Sequence, residues 1–88
     1  MYSDRAQKTL EEITGKKPIE IAFYEDTKRM LEEAEEKAKS LSPSEAEAHF
    51  ISKGEHYKSL AQIDGIREDM KAVSKHLFNR ALDYAGRE

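Results

Sequence analysis

LAQIDGIREDMKAVSKHLFNRALDY, residues 60–84, decides how the rest of the chain is read. Within it Leu60, Ile63, Ile66, Met70, Val73, Leu77, Ala81 and Tyr84 follow one another at steps of three or four. At 3.6 residues per turn, that spacing lays one apolar stripe along a helix, and such a stripe needs a packing partner. The pattern points to an all-α protein in which helix packs on helix.

Upstream, Ser42-Pro43-Ser44-Glu45 is a capping box. The Ser42 hydroxyl suits a free N–H of the first turn, Pro43 fits the first helical position, and Glu45 reaches back to the cap N–H. A helix is therefore expected from Pro43. Phe50 and Tyr57 extend the stripe backwards, and it passes Gly54 and Asp64-Gly65 in register. A glycine inside a helix costs only about 1 kcal/mol relative to alanine. The periodicity thus favours one nearly continuous helix over residues 43–85, with breaks near 54 or 65 as the alternative.

Two helices are expected before it. The first covers about residues 4–14, with Ser3 as cap, Ala6, Leu10 and Ile13 on one face, and Gly15 and Lys16-Lys17-Pro18 ending it. The second covers 18–40, with Ile19, Phe23, Thr27, Met30, Ala34, Ala38 and Leu41 as its seam. Glu25–Arg29, Glu33–Lys37 and Glu35–Lys39 are acid-before-base pairs at i,i+4. Residues 1–88 then read as a single domain: a short N-terminal helix followed by an antiparallel helical hairpin with a long C-terminal helix. At 1.5 Å per residue the hairpin's arms are roughly 35 and 64 Å long, so the shorter cannot cover the longer. Assembly into a homodimer or higher helical-bundle oligomer is the expected remedy, through Leu60, Ile63, Ile66, Met70, Val73, Leu77 and Tyr84 in a coiled-coil-like seam.

Composition narrows the function classes. The chain of 88 residues has no cysteine, which excludes disulfides and thiolate metal sites, and 38% charged residues, which suits solvated helices. The net charge of −3 offers no global basic field, so nucleic acid is not an expected partner. No apolar run approaches the ~20 residues of a membrane span, and Met1–Arg5 does not resemble a signal peptide, so a cytoplasmic location is expected.

Candidate chemistry is sparse. His49 and His56, with Glu45 one turn before, are weak metal candidates, but no H-E-x-x-H or Glu-x-x-His spacing supports them. Glu32, Glu33 and Glu36 are similar to the E-E-x-x-E half of the signature of helical nucleotide pyrophosphohydrolases, and the E-x-x-D half is missing. Arg67, Lys71 and Lys75 form a basic stripe at i, i+4 and i+8. Tyr24 and Phe78 each adjoin a seam residue and so fall on a second face, where an aromatic suits a partner contact.

These residues favour a non-enzymatic helical interaction module, without cofactor, that self-associates and modulates or inhibits a partner, most plausibly another protein. Its size and composition are similar to those of regulators and inhibitors carried by phages and plasmids. Two other readings are kept: sequestration of an anionic nucleotide or other small ligand by Arg67, Lys71 and Lys75, and a metal-dependent helical bundle.

Overall fold

A computed structural model describes residues 3–87, with side chains from Arg5 onward. It is helical, with no strand among the described residues. The helices are α1 (Ser3–Thr14), α2 (Tyr24–Ala38), α3 (Pro43–Leu60) and α4 (Arg67–Tyr84), with a 3-10 turn at Pro18–Glu20. The expected Ser3 cap lies outside the described side chains.

The capping box forms as expected. Glu45 N–H donates to Ser42 Oγ at 3.3 Å, and Ser42 N–H donates to Glu45 Oε1 at 3.1 Å. Gly15 closes α1 in the left-handed region at φ +67°.

The expected continuous helix over 43–85 is corrected: it breaks at 61–66. Gly65 adopts φ +92°, which no continuing right-handed helix accommodates. Gln62 and Ile63 close back onto Ser59 and Leu60 with tight 3-10-type bonds. The i, i+3 spacing of Leu60, Ile63 and Ile66 fits such turns as well as it fits a helix, which is why the stripe ran through the break unmarked.

Gly54 is the opposite case, a glycine inside α3 at a close helix approach. A Cβ there would stand 3.0 Å from the Phe78 ring. Ser74 Oγ donates to the Gly54 carbonyl at 2.8 Å in a buried bond. With Phe50 stacked on Tyr84, these contacts make α3 and α4 an antiparallel pair, the most extensive helix packing in the molecule. The principal partner of the C-terminal helix is therefore α3. Helix α2, expected in that role, packs on α1 and meets α3 only sparsely.

The expected helix over 18–40 is also corrected. In a continuous helix Ala22 N–H would bond to Pro18 O. Instead Ile21 N–H takes Pro18 O at 3.2 Å, and Ala22 N–H donates to the buried Asp69 carboxylate at 2.8 Å. Lys16 Nζ meets the other oxygen of Asp69 at 2.8 Å. The chain turns there, and Phe23 enters α2 in the left-handed region at φ 52°. Ile19 and Phe23, expected in the seam, are consequently 93% and 57% exposed. Ile21 and Leu31 take core places instead.

The core joins Leu10, Leu31, Phe50, Met70, Val73 and Leu77. Met70, Val73 and Leu77 are 0% exposed within this one chain. The break shortens the ladder, and α1 and α3 cover its α4 part, so within this fold these three side chains do not reach the surface. Leu60, Ile66 and Tyr84 are half-buried against the same core, and of the ladder only Ile63 stands out in solvent. The Cα atoms span 39 × 30 × 17 Å. With helices packing 8–10 Å apart, the thin direction holds about two layers, so each helix keeps a solvent face.

Candidate functional site

The acidic run on α2 is divided between two clefts. Glu32, Glu35 and Glu36 face a cleft of about 670 Å³ beside α1 and α4, while Glu33 faces a groove of about 490 Å³ beside α3. Glu32, Glu33 and Glu36 are thus not gathered as a metal-binding triad. Nor does Glu45 join His49 and His56: its carboxylate accepts the cap N–H of Ser42, and this holds its pKa below the ordinary 4.5. Among the described residues no three His, Asp or Glu side chains converge as metal ligands would.

At the wall of the larger cleft stands Arg80, the most heavily bonded side chain among the described residues. Its Nε and Nη2 donate to the two Glu35 oxygens at 2.6 and 2.8 Å, and Nη1 donates to Asp83 at 2.6 Å. The guanidinium lies over Phe50 and Tyr84, 5.2 and 5.3 Å from the ring centroids. Hydrogen bonding to Glu35 raises its pKa further, so it stays charged. The bidentate geometry ties α4 to α2. Beside it His76 is half-buried, and desolvation lowers its pKa from 6.5. The cleft's central charges are engaged with each other, and their evident role is structural.

Arg67, Lys71 and Lys75 are exposed on α4, as a binding stripe requires. They line neither of the two clefts described above. Arg67 pairs with Asp64 at 3.2 Å; Lys71 and Lys75 make no ion pair among the described residues. Phe78 is half-buried with its ring on Gly54. Tyr24 is half-buried against the core with the Lys28 ammonium 5.4 Å from its ring centroid, and burial raises its phenol pKa. Tyr24 and Phe78 thus each present only part of the ring to solvent.

What the structure adds to the stripe is its surroundings. Lys71, Lys75, Phe78 and Leu82 recur at three and four along one flank of α4. Ile51, Gly54 and Lys58 do the same on α3. The two rows meet where Phe78 covers Gly54. Because the helices are antiparallel, Ile51, Phe78 and Leu82 gather toward one end of this outer face, and Lys58, Lys71 and Lys75 toward the other. Ile51 is 38% and Leu82 68% exposed, and Lys58 too makes no ion pair among the described residues. Ile51 and Leu82 were missed in the sequence because neither belongs to the seam; the i, i+4 step from Phe78 to Leu82 was the available signal.

No known family, curated protein or solved structure matches this chain. Among the described residues no helix is long and apolar enough to cross a membrane.

Proposed function

We propose that this protein acts by binding another protein rather than by catalysis, and that it modulates its partner through the outer face of α3 and α4. The occupant is an amphipathic helix whose apolar residues meet Ile51, Phe78 and Leu82 and whose carboxylates meet Lys58, Lys71 and Lys75. The observation that carries this reading is the adjacency of exposed apolar side chains and unpaired lysines on one face of a chain whose net charge is −3. Apolar contact supplies affinity at such a face, and the lysines supply register and encounter rate. The chain's overall charge disfavours nucleic acid, and no exposed aromatic interleaves with the lysines for base stacking.

The test is an NMR titration with a synthetic helix carrying a leucine seam flanked by glutamates, beside its lysine-flanked counterpart. The acidic helix should perturb residues 51, 58, 71, 75, 78 and 82 and weaken with salt, and Leu82→Asp or paired Lys71→Glu and Lys75→Glu should abolish the effect. Equal binding of the basic helix would overturn the reading, as would a preference for anionic vesicles over the acidic helix.

A further inference from the structure

The groove between α2 and α3 has a different character from the larger cleft. Arg29, Lys37 and Lys53 line it, with Asp26 and Glu33. None of these five makes an ion pair among the described residues. Three cations against two carboxylates leave a net charge of +1. Lys53 is half-buried in this state. His49 stands in the wall, and its Nε2 is buried without a hydrogen-bond partner. Helix α2 packs only sparsely on α3, and the small side chain of Ala34 keeps the space open, with about 490 Å³ available. In the larger cleft, by contrast, Arg80 and Glu35 already bind each other.

We propose that this groove is a binding site for a tetrahedral oxyanion of the phosphate class, held by Lys37, Lys53 and Arg29 with the His49 imidazole at its wall. An oxyanion is the group whose several acceptor oxygens match a set of unpaired N–H donors, and charge-assisted bonds of this kind are the strong ones. It neutralises the half-buried Lys53. A turn of the His49 ring lets Nε2–H donate to it. Asp26 and Glu33 at the rim disfavour anions that spread beyond the lysines.

His49 is also the reporter. Its pKa lies below 6.5, through burial first and then the positive charges of Lys53 and Lys37. The charged groups facing it are Asp26, Arg29, Glu33 and Lys37 from α2 and Lys53 on its own helix, with Glu45 one turn away in the cap. An anion between the lysines favours the imidazolium and must raise that pKa.

The experiment follows the His49 ring resonances of the full chain against pH, in inorganic phosphate and in chloride at equal ionic strength. Phosphate should raise the midpoint by about half a pH unit or more, a threefold effect. Lys37→Gln and Lys53→Gln, checked for folding by spectral dispersion, should remove the difference between the two anions. Identical midpoints in phosphate and chloride would overturn the proposal, because screening alone then accounts for any change. A phosphate effect that survives both substitutions would overturn it equally.

Discussion

Phe23 holds a left-handed backbone that a bulky residue adopts only at a cost, about 1–2 kcal/mol. The strain is sustained by Asp69, which fixes Ala22 N–H and Lys16 from a buried position. Because the ring is 57% exposed, little packing offsets the cost. Phe23→Gly is therefore expected to raise stability by about 0.5–1 kcal/mol, read as a higher denaturation midpoint. An unchanged or lower midpoint would show that the exposed ring packs more than its exposure implies. The histidines set the pH response. His49 and His76 both have lowered pKa values in the fold, chiefly through desolvation. The unfolded chain therefore binds protons more readily than the native one, and stability falls as pH drops below 6.5 toward the depressed native values. Tm should fall between about pH 7.5 and about pH 5.5, and His76→Gln should flatten that slope. Both effects escape a reading of the sequence for one reason: Asp69 lies far along the chain from Ala22, and His76 looks like any surface residue until α1 and α2 are packed over it.

At the scale of elements, local chemistry was legible and long-range pairing was not. The Ser42–Glu45 cap, the Gly15 stop and the buried positions of Leu10, Ala34, Ala38, Phe50, Met70, Val73 and Leu77 all follow from spacing and capping. The two inner glycines carried opposite meanings that one apolar register could not separate. Gly65 breaks the helix because its backbone is left-handed, and Gly54 stays helical because the Phe78 ring occupies the space of its missing side chain. The expected i,i+4 pairs on α2 yielded to Glu25–Lys28 and Glu36–Lys39 at i,i+3, and Glu35 turned to Arg80 across the cleft. Gly54→Leu forces a side chain into the ring of Phe78 and the Ser74 bond, and overpacking of this kind costs about 1–3 kcal/mol. Chemical denaturation should register that loss. A midpoint within error of the original would mean that Phe78 swings out freely and that α3 and α4 do not depend on their close approach.

At the scale of the whole molecule, the break at 61–66 changes what the apolar ladder implies. A continuous helix would have left half of the ladder bare and required a second chain. Folded back, the same residues complete a core within one chain, and the mass in solution should stay near 10.1 kDa across concentrations. Light scattering at twice that value would restore the second copy as the occupant of an open face. Of the candidate site, the basic stripe and the Phe78–Leu82 step are legible in the sequence, and the place of Ile51 beside them is not. Ile51 comes beside Phe78 and Leu82 only when α3 and α4 are paired. On the proposed function, this paired face receives an acidic amphipathic helix of another protein. This is tested most directly by placing a photo-crosslinking side chain at position 82, with one at position 12 on α1 as control, and mapping the crosslinked segment by mass spectrometry. Capture is expected from position 82 alone, onto a helical segment with an apolar seam and flanking carboxylates, lost on Lys71→Glu and Lys75→Glu. Equal capture from both positions, or crosslinks to a second copy of this chain or to a basic segment, would contradict it.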